Sequence, residues 1–106
     1  MNCLVSDLNG IDKNELTTRL LFDIATARNS GYTLAKFILT KSTGEKAEKA
    51  LINALRTMKK QGRITFFVSS ADFSKGSTET EYLFNKFPEL KREKEDDKTI
   101  AYFIKL

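Results

Sequence analysis

Lys46, Lys49, Asn53, Arg56 and Lys60 recur at three- and four-residue steps through the stretch "GEKAEKALINALRTMKK". Wound into a helix at 100° per residue, these side chains fall within an arc of roughly 80°, nearly opposite Ala47, Ala50, Leu51, Ala54, Leu55 and Met58. Glu45 and Glu48 lie to one side of the arc, so like charges stack along it without alternating carboxylates. Each such neighbouring pair costs a few tenths of a kcal/mol, roughly, which an anionic partner relieves. The chemistry on offer is phosphate contact, with the amide of Asn53 able to bond a base edge or a phosphate and Arg63 continuing the stripe. The plain alternative is a solvated helix face, which is what most charged stripes are.

Just upstream, "TKSTGEK" places Ser42, Thr43 and Gly44 at the start of the same helix. Terminal N–H groups and the helix dipole favour an anion there, and Lys41, Ser42 and Lys46 can add direct contacts. The Walker spacing G-x-x-x-x-G-K-[ST] is absent, and an ordinary cap by Ser42 or Thr43 explains the same letters without excluding a phosphate.

Absences narrow the chemistry further. The chain has no histidine and one cysteine, Cys3. That removes the commonest general base, the Ser-His and Cys-His nucleophile pairs, and zinc sites built from Cys and His clusters. Carboxylates remain. Asp7 and Asp72 each fall at or just past the carboxyl end of a predicted strand, where open α/β sheets place their sites, and on parallel strands they could share a magnesium ion. Two Asp residues at strand ends are common by chance, and ordinary turn or cap roles are the expectation for both. No catalytic residue and no cofactor is therefore assigned. Phe66, Phe67, Tyr102 and Phe103 could stack bases, although core packing is the expectation for aromatics on strands.

The elements that must position these residues follow from hydrophobic period and punctuation. A chain of 106 residues, 41% apolar with eight Phe and three Tyr, suits a single domain spanning 1–106. Its net charge of +4 favours anionic partners. No window approaches the roughly 18 apolar residues of a membrane span. "MNCLVSDLNGIDK" also lacks the basic-then-apolar order of a signal peptide, so a cytoplasmic protein without membrane contact is expected.

Cys3 to Leu8 reads as a first strand ending at Asn9-Gly10. Asp12 caps a helix from about Lys13, with Glu15 at capping-box spacing and Ile11 and Leu16 placed as a hydrophobic staple. Its core face is Leu16, Leu20, Ile24 and Ala27, widened by Leu21 and Ala25, and Gly31 ends it. "YTLAKFILT" is short enough for a buried strand, although Leu34, Phe37 and Ile38 also fit helical spacing. The basic helix runs from Glu45 to Gln61, stopped by Gly62. "RITFFV" is a third strand and "SSADFSKG" a loop. Thr78 and Glu81, at capping-box spacing, open a short helix before Pro88, against a rival strand-like alternation at Thr78, Thr80, Tyr82 and Phe84. "KREKEDDK" is a charged loop, and "TIAYFIKL" closes the chain as a strand with Ile100, Tyr102, Ile104 and Leu106 on one face. The expected fold is α/β in βαβαβ(α)β order, two main helices packed on a four-stranded sheet, with a winged helix-turn-helix as the alternative.

"SDLNG", a helix, then "GYTLAKFILTKSTG" and a second helix resembles the Smr (small MutS-related) domain, with its "LDLHG" or "LDLRG" opening and "HGKGTG"-like loop. The matching letters are Asp7, Leu8, Gly10, Gly31, Tyr32, Lys41, Thr43 and Gly44, and the terminal strand fits the family's closing strand. The resemblance implies nucleic-acid binding and nicking. This chain has Leu39 and Thr40 where the family has His-Gly, and Ser42 in place of a loop glycine, which argues against nicking and leaves binding.

"LINALRTMKKQGRI" also resembles the recognition helix and wing turn of winged-helix DNA-binding domains, in which case "TLAKFIL" would be the preceding helix. The expected function is binding of DNA or RNA through the basic helix face. An interaction module for an acidic protein partner and a metal-dependent nuclease are the alternatives.

Overall fold

The computed structural model describes residues 3–40, 45–91 and 99–106. Strands β1 (Cys3–Asp7), β2 (Leu34–Thr40), β3 (Phe66–Ser69) and β4 (Thr99–Lys105) form one mixed sheet in the order β1-β2-β4-β3. β1 pairs parallel to β2, whereas β4 runs antiparallel to both β2 and β3, so β1, β2 and β3 share one direction. Leu34–Thr40 is therefore a strand, and the chain adopts the expected α/β fold, not the winged-helix alternative.

Helices α1 (Lys13–Asn29) and α2 (Glu45–Lys60) make the two crossovers between parallel strands. Right-handed crossovers that step the same way along a sheet land on the same face. Leu16, Leu20 and Ile24 of α1 accordingly share one core with Leu51, Leu55 and Met58 of α2 and with Phe37, Tyr102 and Ile104 of the sheet. Helix α3 (Thr78–Lys86) and two short 3-10 segments, Ser70–Lys75 and Pro88–Lys91, lie against the opposite face. There Leu83, Leu90, Phe73, Phe84 and Phe87 pack with Val68, Ala101 and Phe103. β4 lies between the two cores, with Ala101 to Ile104 all buried.

Local signals account for the helix ends. The Asp12 carboxylate accepts the Asn14 N–H at 3.0 Å. At the far end of α1, Gly31 takes φ +82°, its N–H bonds the Arg28 carbonyl at 3.1 Å, and the Tyr32 N–H bonds that of Ala27 at 2.9 Å. The same pair of bonds recurs where Gly62 and Arg63 close α2 on Lys59 and Met58. Both are Schellman endings, which need the left-handed backbone that glycine adopts without steric cost.

Four expectations change. "SSADFSKG" is not an open loop but a 3-10 turn, capped by Ser69 and held by Phe73 stacking on Phe103 at 5.4 Å. α3 is capped by Ser77, whose Oγ accepts the Thr80 N–H at 3.2 Å, one residue earlier than the Thr78 capping box suggests. β3 begins at Phe66 rather than Arg63, because Gly62 and Arg63 are used in closing α2. Leu21 and Ala25 do not widen the α1 core face; both are exposed beside α2. Of the "KREKEDDK" loop, residues 92–98 lie outside the described residues.

One polar link ties α1 to the sheet. The Ser6 hydroxyl donates to Asp23 Oδ2 at 2.7 Å, and Arg19 Nε donates to the same oxygen at 3.0 Å. Asp23 and Ser6 are both buried, which makes their hydrogen bonds costly to break. Asp23→Ala is expected to lower unfolding free energy by about 1–3 kcal/mol, read as a shift of the urea midpoint with unchanged slope.

Candidate nucleic-acid interface

The basic stripe lies on the exposed side of α2. Lys49, Asn53, Arg56 and Lys60 are exposed, while Ala47, Leu51, Leu55 and Met58 are buried beneath them. Arg63, just past the Gly62 turn, is exposed as well. None of Lys49, Arg56, Lys60 and Arg63 is in an ion pair with a described residue. Lys46 stands in the first turn of α2, its side chain outside the description, and Lys41, Ser42 and Thr43 lie outside the described residues. The anion-binding reading of the Ser-Thr-Gly start therefore rests on sequence alone.

Each flank of the stripe meets a different hollow. Toward α1, Asn53 and Thr57 of α2 join Gln61, Arg63 and Thr17 around a hollow of about 520 Å³. A smaller one of about 170 Å³ at the end of this seam brings Arg28 of α1 beside Arg63. The basic and amide-bearing surface thus crosses from α2 onto α1. Sequence reading along one helix could not pair Arg28 with Arg63; the placing of both helices on one face, which the crossover rule supplies, was the available signal.

On its other flank, Arg56 borders a hollow of about 470 Å³ at the carboxyl end of β3, lined also by Glu48, Asp72, Lys75, Glu79 and Tyr102. The hydroxyl of Tyr102, 2% exposed, donates to Glu48 Oε1 at 2.5 Å. Lys75 pairs with Asp72 at 3.0 Å, largely in solvent and hence of small energetic weight. Carboxylates of Glu48, Asp72 and Glu79 thus bound the basic surface on this side.

Burial first, and then the Glu48 carboxylate, raises the pKa of the Tyr102 hydroxyl above its ordinary value. The phenol stays protonated at neutral pH and acts as a donor. Because the folded-state value is the higher one, its stabilising contribution is complete below the unfolded value near pH 10 and is lost as pH rises through the folded one. Tyr102→Phe is expected to flatten the alkaline fall in stability, measured as urea midpoints over a pH series from about 9 to 11.

Asp7 and Asp72 do not come together. Asp7 ends β1 and accepts the Asn9 N–H at 2.9 Å as a turn residue. Asp72 follows β3 at the opposite edge, with β2 and β4 between. Three strand spacings, roughly 14 Å, are too far for one shared ion. Among the described residues no group of three or more Asp, Glu or Cys is placed to hold a metal. Phe66, Phe67, Tyr102 and Phe103 pack in the cores, Phe66 edge-on to Tyr82 at 5.7 Å.

The fold and surface define a single α/β domain with a four-stranded mixed sheet and two crossover helices on one face, α2 carrying the exposed Lys49, Arg56 and Lys60. No model of a known protein family, no curated protein and no solved structure matches the chain. Among the described residues no helix is long and apolar enough to cross a membrane.

Proposed function

We propose that the protein binds nucleic acid, DNA or RNA, by laying the phosphate backbone along the outer face of α2. The observation that carries this reading is the one-sided run of Lys49, Arg56 and Lys60, exposed and without ion pairs to described residues, continued by Arg63 and Arg28 across the α1 seam. Stacked like charges cost stability in the free protein, and a polyanion recovers that cost through contact and counterion release. The Smr resemblance through Asp7, Leu8, Gly10 and the Lys41 to Gly44 loop supports the same reading from sequence. Binding without cleavage is the activity proposed, since the family's His-Gly is Leu39-Thr40 in this chain.

Affinity for duplex and single-stranded DNA and RNA, measured across a salt series, is the test. Affinity should fall linearly in log-log form as salt rises. A flat response, or no binding at low ionic strength, removes the proposal. Stoichiometric capture of a single protein from nuclease-treated lysate would instead favour an acidic protein partner for the same face.

A further inference from the structure

The seam between α1 and α2 differs in chemistry from the stripe beside it. Its floor is apolar, made by Leu21 of α1 with Ala54 and Met58 of α2, and Asn53 and Gln61 bring neutral amides to its rim. Arg28 and Arg63 close one end, neither in an ion pair with a described residue. Among the described residues no carboxylate lines either hollow of the seam. At about 520 Å³ the larger hollow has the size of an ordinary small-ligand site. Phosphates gain nothing from an apolar floor, whereas a flat heterocycle uses both the floor and the amides.

Phe22 is a second, independent feature of the same surface. It is 66% exposed, the most exposed large apolar side chain among the described residues. The helical period sets it on the solvent side of α1, opposite Leu16, Leu20 and Ile24, so core packing does not account for it. Ala25 lines the smaller hollow, and residues three apart are neighbours on a helix surface, so Phe22 adjoins the seam. The residues three and four positions from Phe22 are Thr18, Arg19, Ala25 and Thr26, with no carboxylate among them. A bare ring beside a basic, amide-bearing surface is suited to stack a nucleobase.

We infer that the nucleic acid bound by this protein is single-stranded, with its phosphates on Lys49 and Lys60 of α2, one unstacked base in the α1–α2 hollow and another base of the same strand stacked on Phe22. This rests on the reading of α2 as a phosphate-binding face and adds which form of nucleic acid it takes. In a duplex the faces of the bases are covered by their neighbours, so a duplex meets the stripe alone. A single strand leaves base faces and edges free. Leu21 and Met58 then cover a face, Asn53 and Gln61 offer a donor and an acceptor each to an edge, and Arg28 and Arg63 meet a phosphate at the end of the seam.

Fluorescence anisotropy with the full chain tests it, using a mixed-sequence single strand in DNA and in RNA, the matching duplex, and an abasic strand of equal length. The abasic strand keeps the phosphates and removes the bases. The single strand should bind at least about 10-fold more tightly than the abasic strand, and more tightly than the duplex. Phe22→Ala should weaken single-strand binding by about 10-fold while leaving duplex binding and the salt slope unchanged. The chain has no tryptophan, so Phe22→Trp supplies a single emitter, which the single strand should quench and the abasic strand should not. Far-ultraviolet circular dichroism checks that both variants are folded. Equal affinity for the single and abasic strands with a steep salt dependence would overturn this inference and leave phosphate binding by α2 standing. Full single-strand affinity in Phe22→Ala would also overturn it, and no binding of any probe at low salt would remove both.

Discussion

The double substitution Lys49→Glu and Arg56→Glu is expected to reduce nucleic-acid affinity by at least about 100-fold at low salt and to flatten the salt dependence. Each exposed charge contributes on the order of 1 kcal/mol against a phosphate in water, and reversal replaces that attraction with a comparable repulsion. Two lost duplex phosphate contacts should make the slope of log affinity against log salt shallower by about 1.8. Folding should be spared, because both side chains are exposed on α2 while Leu51 and Leu55 carry the packing. Substitutions at such positions usually change stability by no more than about 0.5 kcal/mol. Isothermal titration or fluorescence anisotropy at several salt concentrations reads the binding, and a urea titration reads the fold. Unchanged affinity in a folded variant would move the interface off this helix. Glu79→Gln, across the β3 hollow, serves as a control that should weaken nothing.

Phe103→Ala is expected to cost about 3–5 kcal/mol of unfolding free energy, the largest stability loss proposed for this chain. Phe103 is 1% exposed in the middle of β4 and fills the second core, stacked on Phe73 at 5.4 Å. Lys36 Nζ sits 5.5 Å from its ring centroid. Domains of this size hold roughly 5–15 kcal/mol in total, so the variant should melt far lower and be partly unfolded at modest urea. Removing the ring takes the packing surface from the 3-10 turn, which is then expected to loosen first. Amide exchange across residues 70–75, compared with α1, checks that order. A loss below about 1 kcal/mol would mean that Phe73 and Leu83 collapse into the space.

What the chain determines locally was legible in its letters. Asp12 at the start of α1 and the glycines at 31 and 62 name the helix ends because capping involves groups only a few residues apart. The amphipathic spacing from Ala47 to Met58 likewise identified α2 and its exposed stripe, since a 3.6-residue period dictates which side chains share a face. For residues 34–40 the spacing fitted both strand and helix, and pairing with β1 and β4 made the choice.

Tertiary structure alone decided which distant groups meet. The sheet order puts β4 between β2 and β3, which separates Asp7 from Asp72 and buries Ala101 and Phe103 in a second core on the face opposite Tyr102 and Ile104. The Tyr102 contact with Glu48 and the approach of Arg28 to Arg63 both depend on this order. Strand pairing is a contest among long-range contacts whose energies no short window contains, so a sequence that names its helices by local hydrogen bonding leaves their neighbours to the packing of the whole chain.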